Sequence, residues 1–245
     1  MVIILVFFFA HWYLSLFTQS FFNHRYAAHS QFSMSRAWEK FWFIISYIFQ
    51  GSSYLSPYAY GVMHRMHHAY TDTEKDPHSP SYSKNMFAMM WDTKKVYSDI
   101  FRGKMKIDEK FTKNVPQWHA FDNWAESITS RLLWSGAYVA FYIYFAEYWW
   151  LYLLLPIHFV MGPFHGVIVN WFAHKTGYVN FKQNNTSKNL YFFNFLMQGE
   201  GYHNNHHRFP SRANFAVKWF EFDTVYPVIV VLNAIGLIRL NKASA

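Results

Sequence analysis

A chain of 245 residues that is 52% hydrophobic, 23% aromatic and only 15% charged is too apolar for an ordinary soluble surface, so membrane lipid is its expected surrounding. The formal charge of +8 would suit a nucleic-acid partner, but the 22 Lys and Arg are scattered and no known nucleic-acid module is present, which argues against nucleic acid. Cysteine is absent, so disulfides, thiolate metal sites, iron–sulfur clusters and cysteine nucleophiles are excluded, and any metal must sit on nitrogen or oxygen.

No Gly/Ser/Pro-rich linker divides the chain, so residues 1–245 read as one domain. Residues 1–22 carry no charged side chain and would extend about 33 Å as a helix, enough to cross a bilayer. A cleavable signal sequence would need a basic segment before the apolar run and a small-residue site after it, and neither is found. Residues 38–62 contain an apolar stretch too short for an easy crossing, and an interfacial or re-entrant helix is expected there. The stretch 72–120 mixes both charge signs with aromatics and reads as a partly helical cap. Residues 131–146 and 148–173 form a hairpin of two spans, turning at Glu147 with Trp149 and Trp150 in an interfacial belt. Pro156 and Pro163 should kink the second of these without forbidding it. Residues 224–240 are again expected to be an interfacial or re-entrant helix. Ten of the 22 basic residues lie between Gly61 and Ser130 and six more between His174 and Asp223, which places both segments on the cytoplasmic side.

Those basic segments also hold most of the chemistry-bearing residues. Of 14 histidines, eight fall in three groups: His24 and His29 in HRYAAH, His64, His67 and His68 in HRMHH, and His203, His206 and His207 in HNNHH. On an α-helix positions i, i+3 and i+4 lie at about 0°, 300° and 40°, so each HxxHH group projects three imidazoles from one face. His24 and His29 are about 140° apart on the same geometry, so they diverge and either serve different metals or straddle a helix end. Asn170 and His174 in NWFAH, spaced i, i+4, point the same way and offer a ninth imidazole and an oxygen partner. Any one of these histidines taken alone reads as an interfacial or incidental residue. As a set beside apolar spans they would be costly to gather unless a metal used their lone pairs. A structural zinc needs four ligands, so nine imidazoles argue for two metals, and imidazole itself suits zinc, copper, iron and nickel alike. All crossings between boxes that share a centre must be even in number, which is why 38–62 is not read as a full span.

Carboxylates that orient metal-bound imidazoles are sought among Asp72, Glu74, Asp76 and Glu200, with Asp76 and Glu200 preferred over the alternative of solvated acids. Arg25, Arg65 and Arg208 adjoin box histidines and could meet carboxylates or an anionic headgroup. Outside the boxes, His11 is expected to be a satisfied polar group in the bundle, and His78 either braces the second box or sits in a loop. His119 and His158 carry no assignment, and His165 should face away from His174.

The order HRYAAH, HRMHH with DTEKDPHSP, NWFAH and GEGYHNNHHRFP resembles the membrane acyl-CoA desaturase family of the stearoyl-CoA type over roughly residues 20–215. The resemblance implies an all-α fold: an integral membrane helical bundle with a cytoplasmic helical cap that holds a dimetal site over a narrow bent acyl tunnel. It implies two Fe ions on His24, His29, His64, His67, His68, His174, His203, His206 and His207, with Asn170 reaching a metal through water. The implied reaction takes O2 as co-substrate and inserts a cis double bond, Δ9 by analogy, into a fatty acyl substrate carried as acyl-CoA or acyl-lipid. No flavin or nicotinamide fingerprint and no fused cytochrome b5-like segment is seen, so electrons are expected from a separate donor of cytochrome b5, ferredoxin or rubredoxin type. The expected location is a bacterial inner membrane, with the active site facing the cytoplasm. One departure stands out: a single span precedes HRYAAH where the family usually has two. The same centre could serve a lipid hydroxylase or ketolase, and a histidine-rich metal transporter is the non-enzyme alternative.

Overall fold

The structure is a computed structural model that describes residues 1–191, 194–242 and 244. It is mostly helical. Helix α1 (Val2–Thr18) continues without a break into a π-helical segment, Gln19–Ala28. Together they form 27 residues that contain no proline or glycine, about 40 Å long at 1.5 Å per residue. Two further helices follow: α2 (Arg36–Gln50), capped by Ser35 accepting from the Trp38 N–H, and α3 (Pro57–Tyr70), which begins on Pro57. The region 38–62 is therefore two helices. The chain turns between them at Gly51, whose φ of +53° no β-carbon residue adopts easily, and where an added Cβ would collide with the Tyr138 hydroxyl.

The middle of the chain contributes α4 (Met86–Phe101), capped by Asn85, and the short α5 (Glu109–Thr112) and α6 (His119–Ala125). Helix α7 (Ile128–Phe145) covers the expected span 131–146. The run 148–173 is a 3₁₀ turn, α8 (Leu155–Phe159), α9 (Met161–Val167), a π-helical turn at Ile168–Phe172 and α10 (Ala173–Lys175). Its two halves bend by 76° on either side of Val160. By length and composition, Val2–Ala28 could cross a membrane, and the bent pair Trp149–Phe159 with Met161–Lys175 could be a second, broken crossing among the described residues. Helix α7 falls outside that count because Thr129, Ser130, Arg131, Ser135 and Gly136 dilute its apolar content.

The last helices are α11 (His203–Arg208) and α12 (Tyr226–Ala234). The helix expected over 224–240 ends early: Gly236 at φ +77° reverses the chain into strand β2 (Ile238–Leu240), which pairs antiparallel with β1 (Phe32–Met34). This two-stranded ribbon is a small departure from an all-α fold.

Three of the apolar clusters among the described residues hold the helices together. Phe21, Phe22, Phe32, Phe43, Val225 and Ile229 tie the π-helical end of the first helix to α2, β1 and α12. Val62, Met63, Ile100 and Phe111 join α3 to α4 and α5. At the far end, Ile4, Tyr138, Tyr142, Leu151 and Leu155 join α1 to α7 and α8. A buried polar knot fixes the start of α3: Asp122 accepts from the Tyr54 hydroxyl at 2.7 Å and from the Ser56 hydroxyl at 2.9 Å. Burial pushes the Asp122 carboxyl up to about 6, from 3.8, in spite of those two bonds. The folded state then holds this proton more tightly than the unfolded chain, so the stability it contributes is present below pH 3.8 and lost as pH rises through about 6. The expected loss is about 3 kcal/mol for a shift of about two units. Unfolding of Asp122→Asn in detergent should lack that slope between pH 4 and 6, and an unchanged slope would contradict the assignment.

Candidate metal centre

The nine box and NWFAH imidazoles come together in two groups. His24, His29, His64, His68 and His206 form one, and His67, His174, His203 and His207 the other, with the nitrogens of each group all within 4.8 Å of one another. Each HxxHH helix serves both. Helix α3 gives its i, i+4 pair, His64 and His68, to the five-imidazole group and its i+3 residue, His67, to the other. Helix α11 does the reverse, with His203 and His207 in one group and His206 in the other. The i and i+4 positions are about 40° apart on the helix, while i+3 diverges from both, so the split follows from helical geometry.

His24 and His29 do not diverge as α-helical spacing suggests. The segment is π-helical, and the His29 N–H donates to the His24 carbonyl at 3.1 Å, an i→i+5 bond that returns residues five apart to one face. Their ring centroids are 5.0 Å apart.

The ring nitrogens that face inward are crowded. His24 Nε2 is 3.0 Å from His206 Nε2, which is 2.9 Å from His68 Nε2, and His64 Nε2 is 2.9 Å from His29 Nε2. In the second group His174 Nε2 is 3.0 Å and His207 Nε2 2.9 Å from His203 Nε2, and His67 Nε2 is 3.2 Å from His207 Nε2. Burial, with the neighbouring imidazoles adding to it, holds His29, His64, His68, His203, His206 and His207 well below the usual imidazole range. His67 is lowered in the same way. These rings are therefore neutral near pH 7.

Their outer nitrogens fix the tautomer. His24 Nδ1 donates to Glu200 Oε2 at 2.6 Å, and His67 Nδ1 donates to Asp76 at 2.9 Å. His174 Nδ1 donates to Thr186 Oγ1 at 3.0 Å, which in turn donates to Asp72 at 2.9 Å. With the proton on Nδ1, the Nε2 of each of these rings presents only a lone pair to its neighbours. Lone pairs converging at such distances fit a shared cation. Two imidazoles bound at right angles to a metal at about 2.1 Å would lie about 3.0 Å apart, against about 3.4 Å for a tetrahedral site, and five donors exceed what tetrahedral zinc takes.

Carboxylates behind the rings are deeply set. For Glu200, burial acts to raise the carboxyl, but His24 and Arg25 outweigh it and hold it at about 2. For Asp72, burial is likewise outweighed by bonds from His174 and Thr186, which leave it below the usual range, whereas Asp76 is raised by burial. Glu74 is exposed. Sequence reasoning picked Asp76 and Glu200, but it could not see Thr186 or Asp223. Arg25, wholly buried, donates to Glu200 at 3.0 Å and Asp223 at 2.6 Å and lies over the Phe215 ring at 3.8 Å. Arg65 meets no carboxylate among the described residues: it donates to the carbonyls of Ala27, Ala28 and Lys113, capping the C-terminal end of the π-helical segment. The two asparagines of HNNHH are also structural partners. Asn205 donates to Glu221 at 2.8 Å and Asn204 to the Phe181 carbonyl at 2.9 Å, which anchors α11 to the loops around it.

Other histidines lie outside both groups. His78 is buried with its ring 4.2 Å from His67, and its backbone N–H donates to Asp76 at 3.1 Å. His11 and His158 share a 2.6 Å contact between their Nδ1 atoms, and His158 also meets the Tyr142 hydroxyl at 2.9 Å. His165 accepts from Gln19 at 3.1 Å, and His119 is exposed.

A cavity of about 830 Å³ runs from His24, His64 and Glu200 along Leu16, Leu55, Met63, Phe159 and Val169 to Phe87 and Trp91. Asn170 lines it too, as do Lys94, Arg102 and Arg131. Its wall is mainly apolar, of a size and character suited to a long hydrocarbon chain.

These features define a class: helical proteins in which paired polyhistidine pockets adjoin an apolar cavity. This chain belongs to the fatty acid desaturase family, whose family model matches residues 1–231. It is 29% identical over 230 residues to the Delta-9 desaturase-like 2 protein of Arabidopsis thaliana, covering 89% of this chain and 70% of that protein. It is 28% identical over 221 residues to the sn-1 stearoyl-lipid 9-desaturase of a Synechocystis strain, covering 88% and 64%. To the acyl-CoA C20 Delta5-desaturase of Anemone leveillei it is 26% identical over 223 residues, covering 87% and 65%. The chain thus spans about two thirds of the length of such relatives.

Proposed function

We propose that this chain is an O2-dependent fatty acyl desaturase that holds two irons, one on each histidine group, and inserts a cis double bond at Δ9 of an acyl-CoA or acyl-lipid. The observation that carries this reading is the contact of one polyhistidine group with the apolar cavity through His24 and His64. Iron, when bound, supplies the redox chemistry with O2 that removes hydrogen from an unactivated methylene pair. The chain's own residues do the rest. His24, His29, His64, His68 and His206 would hold one metal and His67, His174, His203 and His207 the other, with Asn170 reaching a metal through water. Glu200, Asp76 and the Thr186–Asp72 pair keep protons on the outer nitrogens, so that the inner lone pairs stay available. Leu16, Leu55, Met63 and Val169 align the acyl chain and exclude water from it.

The protein on this reading is an integral, multi-pass membrane protein with the centre on the cytoplasmic face. Support comes from the broad exposure of Val2, Ile3, Val6 and Phe9 on α1 and of Leu132, Leu133, Ile143 and Tyr144 on α7, which water would not favour. Expression in a host with a known fatty-acid profile, followed by mass spectrometry with double-bond localisation, tests the activity. New alkenes are expected, and new hydroxy or keto lipids without alkenes would reject desaturation.

Filling the cavity tests where the chain lies. A Cβ at Gly166 would meet Asn170 at 3.8 Å and Met90 at 3.9 Å, ordinary contacts that leave the helix unstrained. Gly166→Leu is therefore expected to fold and to bind metal normally, while lowering turnover of long chains at least about tenfold relative to shorter ones. Unchanged chain-length preference would place the substrate elsewhere.

A further inference from the structure

The segment that leads into HNNHH does not stay at the level of the histidine groups. Glu200 meets His24, but the Leu196 carbonyl accepts from the Trp12 indole at 3.0 Å and Gln198 donates to the Tyr13 carbonyl at 2.6 Å. Trp12 is twelve residues from His24, roughly 18 Å of helix at 1.5 Å per residue, so this arm runs along α1 into the stretch read as a span. Leu190 and Met197 pack there on Leu16 and Ala173, while Tyr191 and Phe195 are each more than half exposed.

A second exposed group lies beside it. Trp219 is 94% exposed, and Phe220 and Phe222 are each more than half exposed. Tyr178 joins the two groups, with its ring 5.7 Å from Tyr191 and 6.1 Å from Phe220. Water is a poor partner for a patch of this kind. Charge indicates what covers it. After Glu147 the acidic residues are Glu200, Glu221 and Asp223, and all are buried, whereas Lys175 and Lys218 are exposed and Lys188 partly so. Exposed aromatics bordered by cations, with no acid on the surface, match the face of an anionic bilayer, where rings sit at headgroup level and Lys meets phosphate.

The buried carboxylates tie this surface to the site. Glu221 accepts from the N–H groups of Val217 at 2.6 Å and Lys218 at 2.9 Å, which closes the aromatic turn, and from Asn205 of HNNHH at 2.8 Å. Asp223 accepts from the Phe215 N–H at 2.9 Å and from Arg25 at 2.6 Å. Displacing the turn therefore pulls on α11 and on Arg25.

We propose that Trp219, Phe220 and Phe222, with Tyr191 and Phe195, form a surface seated in the lipid at headgroup level, and that this seating steadies the HNNHH helix through Glu221. The segment 174–223, expected on the cytoplasmic side, touches the bilayer from that side. The proposal rests on the membrane reading above and not on the identity of the metal.

The chain has no cysteine, so a single introduced Cys can carry a nitroxide without background. Phe195→Cys and Trp219→Cys are compared with Val6→Cys, on the exposed apolar face of α1, and with Lys104→Cys, in the charged stretch 72–120. Each is labelled in metal-free protein in nanodiscs of phosphatidylcholine with phosphatidylglycerol, and power saturation measures access of O2 and of a water-soluble nickel chelate. Labels at positions 195 and 219 should resemble the one at 6, with O2 favoured over the chelate, and the label at 104 should show the reverse. Chelate access at 219 equal to that at 104, with 6 still in lipid, would overturn the proposal alone, whereas chelate access at 6 as well would sink the membrane reading with it. A label at 219 shielded from both reagents would mean that protein, a second copy or a partner, covers the patch, and would overturn the proposal too. Hydrogen exchange reads the coupling. In Trp219→Ser with Phe220→Ser the peptide spanning His203–Phe209 should exchange at least about tenfold faster than in the parent, and Trp219→Leu with Phe220→Leu should restore its protection. Unchanged exchange in the serine pair, or an equal loss in the leucine pair, would remove the link to α11.

Discussion

His206→Ala and His174→Ala should each abolish measurable desaturation, a loss of more than about 100-fold, while differing in which histidine group they weaken. Changing a group that merely orients a ligand already costs about 10- to 100-fold in affinity or activity, so loss of a ligand should cost more. His206 touches both His24 and His68 through Nε2, at 3.0 and 2.9 Å, so its removal opens the centre of the five-imidazole group. His174 belongs to the four-imidazole group and contacts His203 Nε2 at 3.0 Å. Its loss leaves three imidazoles there and all five in the other group. Iron analysis should therefore fall from two per chain toward one in His174→Ala, with a spectroscopic signature of a remaining isolated site. His206→Ala leaves four imidazoles in its group and should weaken rather than empty it. A variant that keeps two irons and full turnover would remove that histidine from the ligand set.

What could be read from the sequence depended on whether the geometry was local. The HxxHH spacing encodes a face of a helix, so the two triads were visible as sets of imidazoles on shared helix faces, and helical geometry also decides how each triad divides between the groups. The relation of His24 to His29 was not visible, because the π-helical register of Gln19–Ala28 shifts the phase by enough to turn divergence into convergence. Nothing in HRYAAH signals it. Pro156 and Pro163 signalled a kink, and the run does bend by 76°, between them. The break of the single helix expected over 38–62 into two was hidden because it falls where Gly51 fits against Tyr138 on α7, a long-range contact. In the same way the strand at Ile238–Leu240 exists only because Phe32–Met34 lies beside it. Partners remote in sequence were out of reach: Thr186, which links His174 to the candidate carboxylate Asp72, and Asp223 behind Arg25.

That last pair leads to the largest stability effect expected. Arg25 is fully buried and is the shared counter-charge of Glu200 and Asp223, with its Nε also bonded to the Ala213 carbonyl at 3.0 Å. Arg25→Met keeps much of the volume over Phe215 but leaves two buried carboxylates without their shared counter-charge. Breaking a buried pair in this way costs about 3–5 kcal/mol, and the unfolding midpoint should fall by roughly 10 °C. The triple variant Arg25→Met, Glu200→Gln, Asp223→Asn removes all three charges, so much of the lost stability should return, since neutral replacement of a buried ion cluster is often tolerated. Metal binding should not return with it. His24 Nδ1 now donates to a carboxylate held at about 2, and a neutral amide in its place lowers the basicity of Nε2, so affinity at the five-imidazole group should stay about 10- to 100-fold weaker. Stability and metal affinity separating in this manner would identify Arg25 as the balancing charge and Glu200 as the group that tunes His24. If the single variant melts with the parent, or the triple variant recovers both properties together, the buried ions are not coupled to the histidines in the way the geometry indicates.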